Sequence, residues 1–212
     1  LGDVYKRQTY MDLYEAIKSH CDERRDFELI ELLDEYREYC TAENLIDDTN
    51  NTIMVRLAGS TMDFNIQPDI SIYFDKFEHR YEGFRYLALY QSKSIKYIGK
   101  IQKVVKGFKQ PNGSIFMEGL VPHKCAISDE EKTRVEKAID HQENLYDNTS
   151  IPHCYFLVES FVPVENFTKS SKRALYGRKK FYLSQFNLPI NCSAEEIAEQ
   201  MKNRTWEEID SN

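Results

Sequence analysis

Two neighbouring apolar segments with a very short polar link between them constrain the fold of this chain most strongly. FRYLALYQ (84–91) and SIKYIGKIQKVVKG (94–107) mix aliphatic residues with tyrosine and lysine, and such sequences favour strands. Only the turn at residues 92–94 separates them, so we expect a β-hairpin. Gly99 inside the second strand predicts a bulge or the close approach of another backbone.

The rest of the chain adds further strands and several helices. Strands are predicted for TIMVRLAG (52–59), ISIYF (70–74), IFMEGL (115–120) and HCYFLVESFVPV (153–164, ending at Pro163), and a last strand or turn for KKFYLSQFNL (179–188). Helices are predicted at Asp12–Ser19, Asp26–Cys40, Ser128–His141 and, in one piece, 193–209. The expected class is α+β: a mostly antiparallel β-barrel preceded by two acidic helices and followed by a C-terminal helix.

The charges are distributed unevenly along the chain. The formal net charge is −7, which by itself disfavours binding to nucleic acid. The acids are concentrated near the start, as in DERRDFELIELLDEYREYC (22–40), whereas residues 93–109 and 169–180 carry lysine and arginine with no acid. The pattern therefore predicts an acidic N-terminal part of the chain and a locally basic surface formed by later residues.

Several classes of site and location are disfavoured by what the sequence lacks. The five cysteines are widely spaced, and neither they nor the histidines show the spacing of a zinc site. We therefore expect no metal site and no cofactor. The chain has no run of 18 apolar residues and no secretory signal, so we expect a cytoplasmic protein without a membrane partner.

The first residues do not fit the pattern of the rest. DVYKRQ (Asp3–Gln8) resembles the translated end of a transposon-derived sequencing adapter, which indicates a metagenomic reading frame. We therefore divide the chain into an artefact (1–8), an acidic helical segment (9–51), a barrel (52–190) and a C-terminal helix with tail (191–212). Whether Met11 is the true start, and whether a catalytic domain precedes it, stay open.

Two stretches carry a family resemblance. The hairpin motif Y-I-G-K-I-x-K-V-V, and the later Y-F-L-V-E-S-F-V-P-V with its basic loop and F-Y-L-S-Q-F, resemble the opening and closing strands of PUA-like barrels, especially the EVE and ASCH branches. The resemblance covers Ile53–Leu188. It implies a small barrel that binds RNA or DNA, with an aromatic pocket for a flipped or modified base. The tryptophan of the EVE pattern has no counterpart in the barrel region, since Trp206 lies in the tail.

The candidate nucleic-acid-binding residues follow from this mapping, and cations with flat rings suit phosphates and bases. They are Tyr90, Lys93, Tyr97, Lys100, Arg173, Tyr176 and Arg178. The chain also resembles the C-terminal half of larger prokaryotic or phage defence proteins, in which a nuclease domain precedes a recognition module.

Two other hypotheses belong to different classes. The acidic helices could bind a protein partner, with the barrel as scaffold. Alternatively, Asp69, Gln91 and Lys93 match the weakest form of the PD-(D/E)XK motif, in which an acid, a second ligand and a lysine hold Mg²⁺ and activate water.

Overall fold

The chain divides into two compact units, residues 1–49 and 50–212. A computed structural model describes residues 14, 16–22, 25–42, 48–77, 83–122, 124–146, 150–175, 178–190 and 192–210. In the first unit, residues 14 and 16–18 are helical, and α1 spans Phe27–Ala42, so both predicted helices are present. The proposed artefact at residues 1–8 lies outside the described residues.

The second unit is built on seven strands. They are β1 (Thr52–Leu57), β2 (Ile72–Lys76), β3 (Tyr86–Gln91), β4 (Ser94–Lys109), β5 (Ile115–Val121), β6 (His153–Thr168) and β7 (Lys179–Tyr182). Its α-helices are α2 (Met62–Asn65), α3 (Asp129–Tyr146), α4 (Ala194–Met201) and α5 (Trp206–Asp210). The predicted α+β class is confirmed.

All seven strands belong to one mixed sheet. Its order is β2-β6-β4-β3-β1-β7, with β5 paired to the second half of β4. The predicted β3–β4 hairpin is present, and β1 pairs with β3 in parallel. Among the described residues β1 and β2 share no backbone pairing, so the sheet is not closed into a barrel.

The sheet nevertheless curls, and side chains bridge the seam between β1 and β2. The Tyr73 hydroxyl donates to the carbonyl of Leu57 at 3.2 Å, and Arg56 Nη1 lies 3.4 Å from Asp75 Oδ2. Apolar residues of β1, β2, β3, β4 and β6 form an inner cluster on one face of the sheet. On the other face, α3 covers one end and α4 with α5 covers the opposite end.

Gly99 allows a close approach between β4 and β6. A Cβ atom added there would lie 2.2 Å from Val158 Cγ1 and 2.6 Å from the Ser160 carbonyl oxygen. The pairing of β4 with β6 also shifts register beside this residue. The prediction that Gly99 marks a bulge or a close backbone approach is therefore confirmed.

Several predicted element ends differ from the structure, and two of the differences have a clear physical cause. β6 does not end at Pro163 but continues to Thr168, because Pro163 lies where the pairing with β4 shifts register and costs no regular ladder bond. The single helix predicted over 193–209 is two helices, α4 and α5. The break comes from a second capping pair, in which the Glu208 carboxylate accepts from the Thr205 backbone N–H at 2.9 Å.

Within the part of the chain that the structure describes, no helix has the length and apolar character needed to cross a membrane.

Candidate functional site

The most basic part of the described surface is the segment from Lys169 to Lys180, which we call the basic segment. It contains six cations and no acid, namely Lys169, Lys172, Arg173, Arg178, Lys179 and Lys180. The side chains of Lys172, Arg173, Arg178 and Lys180 are exposed. Tyr176, a predicted site residue, lies outside the described residues.

The turn between β3 and β4 holds the basic segment in place. Ser92 and Lys93 have positive φ angles of 51° and 60°, as in the tight turns that suit a two-residue hairpin. The Lys93 ammonium donates to the carbonyl of Lys172 at 2.8 Å. In return the Lys169 N–H donates to the carbonyl of Lys93 at 2.8 Å. Lys93 therefore lies beside Lys172 and Arg173, although its ammonium is engaged with the loop backbone.

A carboxylate from α5 binds the other side of the basic segment. The N–H groups of Ser170 and Ser171 donate to the two oxygens of Glu207 at 3.1 and 3.0 Å. Partial burial acts to raise the pKa of the Glu207 carboxyl, but the hydrogen bonds from these N–H groups outweigh it and lower the pKa to about 2. The Glu207 carboxylate therefore stays ionised at acidic pH values at which an ordinary glutamate becomes protonated.

Tyr90 contacts the basic segment through its hydroxyl group. Its Oη accepts from the Leu175 N–H at 3.2 Å. The ring is 3% exposed and packs against Trp206 with centroids 5.3 Å apart. Trp206, although it follows the sheet by many residues, is part of the core beneath this segment. Because the faces of the Tyr90 ring are buried, the ring does not offer a surface for stacking. The contribution of Tyr90 to this segment is the hydroxyl group that holds the loop.

The other two predicted site residues on β4, Tyr97 and Lys100, lie away from the basic segment. Tyr97 is half-buried and packs on the inner cluster, on the sheet face opposite the cluster that contains Tyr90. Lys100 lines a recess of about 200 Å³ together with Glu159 and Glu195. The structure therefore brings together Lys93, Tyr90 and Arg173, but it does not gather the predicted residues into one cleft.

Two of the six lysines in the earlier basic stretch, residues 93–109, are paired with acids of α3. Lys103 lies 2.6 Å from a carboxylate oxygen of Glu131, and Lys109 lies 2.8 Å from one of Glu143. These acids follow the lysines by 28 and 34 residues, so a local count of charges does not reveal them. The positive charge of β4 is therefore lower than its sequence alone suggests.

The three residues matched to the nuclease motif each have a different partner. Asp69 is 2.8 Å from Lys137, the Gln91 amide donates to the Gly59 carbonyl, and Lys93 donates to Lys172. None of these contacts joins one of the three to another. Across the described ranges, no three His, Cys, Asp or Glu side chains are grouped as a metal site would need.

A cleft of about 410 Å³ opens at the seam between β1 and β2. Sequence reasoning missed it, because its lining comes from four separate elements. Its aromatic residues are Tyr73, Phe74 and Tyr146, and its polar residues include Ser60, Asp75 and His153. Volumes of about 300–1,000 Å³ are typical of small-molecule sites, so the cleft can hold a heterocyclic ring.

The electrostatics of the cleft connect it to the basic segment. Burial raises the pKa of the Tyr73 hydroxyl and the Asp75 carboxylate adds to this, whereas Arg56 and Arg178 act in the opposite direction. Lys179 pairs with Val55 on β1, and β1 leads directly to the cleft residues Leu57 and Ala58. The basic segment therefore extends to the edge of the cleft.

A buried hydrogen-bond chain stiffens the floor of the cleft. Tyr155 Oη donates to Gln142 Oε1 at 2.9 Å, and Gln142 Nε2 lies 2.8 Å from His153 Nε2. His153 Nδ1 lies 2.7 Å from the Ile151 carbonyl oxygen. If Nδ1 carries the proton of a neutral imidazole, every group in the chain is satisfied.

Comparison of the chain with protein-family models, with curated proteins and with solved structures gives no match.

Proposed function

We propose that this chain is a nucleic-acid-binding module that holds the phosphate backbone with the basic segment. The observation that carries the proposal is the run of six cations without an acid between Lys169 and Lys180. Its first part, residues 169–175, is held by Lys93, Tyr90 and Glu207. A row of fixed cations suits a polyanion, because each phosphate contact releases condensed counterions. The net charge of −7 does not oppose this, since binding depends on the local field.

We further propose that the seam cleft receives an unstacked base from the bound strand. Tyr146, which is 52% exposed, supplies a face for stacking, and Ser60 and Asp75 are polar residues of the same cleft. The pairing of Lys179 with Val55, two residues before Leu57 of the cleft, supports the assignment. The curled sheet with one inner cluster suits the PUA-like architecture that the sequence resembles, and the cleft then takes the place of the expected pocket around Tyr90 and Tyr97.

The proposal is tested by removing three exposed cations together. We expect the wild-type chain to bind a single-stranded oligonucleotide at low salt, with a logarithmic slope against salt of about −0.7 per contacted phosphate. Lys172→Ala, Arg173→Ala and Arg178→Ala combined should weaken binding at least about tenfold and make the slope shallower by about two. Fluorescence anisotropy at several salt concentrations measures both quantities for RNA and DNA.

A matched control removes the same charge from three lysines outside the basic segment, each of which lies beside a carboxylate. These are Lys109, Lys132 and Lys137, all changed to alanine. The control should bind as the wild type does. Equal losses in the two triple variants would mean that net charge alone governs binding, and no binding by the wild type at low salt would refute the proposal.

One observation favours a second candidate function, a protein-interaction module. α1 leaves large apolar side chains in solvent: Phe27 is 60% exposed, Leu32 60% and Leu29 43%. Acids outnumber bases along the same helix, so its partner would combine apolar and basic residues. If the chain fails to bind nucleic acid at low salt, this candidate becomes the better one.

A further inference from the structure

The contact between Glu207 and the basic segment has the form of a bound anion. Two consecutive backbone N–H groups, from Ser170 and Ser171, each donate to a different oxygen of one carboxylate. Backbone N–H groups that converge in this way form a typical anion site in proteins. The anion that occupies it here is a side chain of the same protein.

The remaining polar groups of the loop favour an anion at that position. The carbonyl oxygens of Lys172 and Arg173 are occupied by the ammonium groups of Lys93 and Lys169, at 2.8 and 2.7 Å. Lys172 and Arg173 themselves extend exposed cationic side chains from the same turn. The loop therefore offers donors and positive charge, while two of its carbonyl acceptors are already bound within the protein.

A phosphodiester matches the carboxylate in the features that this loop recognises, which are the charge and the paired oxygens. Both groups carry a single negative charge, and both present two equivalent oxygens on one atom. Exchanging one for the other leaves the two N–H donors satisfied and the charge of the site unchanged. It also brings a phosphate to the turn that carries the exposed cationic side chains of Lys172 and Arg173.

We propose that the N–H groups of Ser170 and Ser171 form a phosphate site, which Glu207 occupies in the unbound protein and a nucleic-acid phosphodiester takes over on binding. This inference rests on the proposed function and specifies how the basic segment is regulated. The Glu207 side chain must leave the site before a phosphate can bind. The apparent affinity for nucleic acid is therefore the intrinsic affinity multiplied by the fraction of time for which the site is empty.

The experiment compares two variants with the same change of charge. Glu207→Gln keeps the shape of the side chain but weakens its hold on the N–H groups, since a charged acceptor binds them more strongly. Glu199→Gln alters an exposed residue on α4. We expect Glu207→Gln to bind a fluorescent single-stranded oligonucleotide at least about threefold more tightly than Glu199→Gln. Thermal unfolding of both variants verifies that each is folded.

A second measurement follows the site itself in the wild-type protein. The amide resonances of Ser170 and Ser171 should shift when the oligonucleotide is added, because the group that accepts from them changes. In Glu207→Gln the same shifts should be complete at a lower oligonucleotide concentration. Inorganic phosphate is added in a separate titration as the free form of the same chemistry, and it should compete with the oligonucleotide only weakly.

The outcomes separate this inference from the proposed function. If the wild type binds the oligonucleotide but the two amides do not shift, or if the two glutamine variants bind equally, the Glu207 exchange is refuted and nucleic-acid binding stands. If no oligonucleotide binds to any form at low salt, the proposed function is refuted. Amide shifts with inorganic phosphate alone, without oligonucleotide binding, would refute the nucleic-acid source of the phosphate.

Discussion

At position 90 the hydroxyl group, rather than the aromatic ring, faces the basic segment. A tyrosine at the end of a strand next to lysines suggests a stacking platform, and the sequence resemblance pointed the same way. The ring of Tyr90 instead packs on Trp206, and its oxygen receives the Leu175 N–H. The same residue type serves both roles, and only the packing of residues more than 80 positions away decides between them.

Tyr90→Phe tests this role directly. We expect the unfolding free energy to fall by about 1 kcal/mol, because the Leu175 N–H loses its acceptor. Hydrogen exchange at the Leu175 amide should become faster, and oligonucleotide binding should weaken slightly as the loop loosens.

Tyr97→Phe is the control, since its ring packs on the inner cluster, away from the basic segment. A Tyr90→Phe protein with wild-type stability and unchanged exchange at Leu175 would contradict the role assigned to the hydroxyl.

Among the elements, α3 contacts the backbone at the start of β2 and in β6 through Arg134. Arg134 donates to the carbonyls of Ile70, Ser71 and Val158 at 2.7, 2.6 and 2.9 Å. Ser71 has a φ of 38°, a conformation that is uncommon for a residue other than glycine. The guanidinium thus satisfies the backbone where β2 begins and where β6 passes it.

Arg134→Met should lower the unfolding free energy by about 2–3 kcal/mol, because it leaves partly buried carbonyl groups without their charged donor. Chemical denaturation followed by circular dichroism measures the change. Lys137→Met, one turn further along α3, removes only an exposed ion pair with Asp69 and should cost less than about 1 kcal/mol. Similar losses in both variants would show that Arg134 has no special role.

The sequence predicted local features of these elements better than it predicted their ends. The helix starts at Ser128 and Ser193 were predictable, because a capping box needs only residues three positions apart. The second box, between Thr205 and Glu208, had the same signal and was passed over within a longer helical pattern. β6 continues through Pro163 because of its register with β4, which no local pattern encodes.

The candidate site could be predicted only in part for the same reason. The basic segment is contiguous, so its charge is visible in the sequence. The neutralisation of Lys103 and Lys109 by α3, the seam cleft and the contact of Glu207 all join residues that are distant in the chain. Each depends on how the sheet curls and where the helices pack on it.

For the second unit as a whole, β4 and β6 are the structural centre. β4 pairs with β3 along its first half, with β5 along its second half, and with β6 along most of its length. β2 and β7 are the outer strands of the order. Strands paired on both sides open only when the whole unit unfolds, whereas outer strands can open locally.

The rates of native-state hydrogen exchange should therefore differ between the central and the outer strands of the sheet. Amides in the middle of β4 and β6, such as those of Val104 and Phe156, should exchange at the rate set by global unfolding. Paired amides in β2 and β7 should exchange at least about tenfold faster, with little dependence on denaturant. Uniform protection across all strands would contradict this ranking and indicate that the outer strands open only together with the centre.

The position of β7 at the end of the sheet has a consequence for the behaviour of the protein in concentrated solution. Among the described strands β7 pairs with β1 alone, so it is an outer strand of the sheet. Two of its four residues are Lys179 and Lys180, and lysines on an outer strand discourage edge-to-edge pairing between molecules. The cations proposed to hold phosphate thus also keep copies of the chain apart, and neutralising them would favour aggregation.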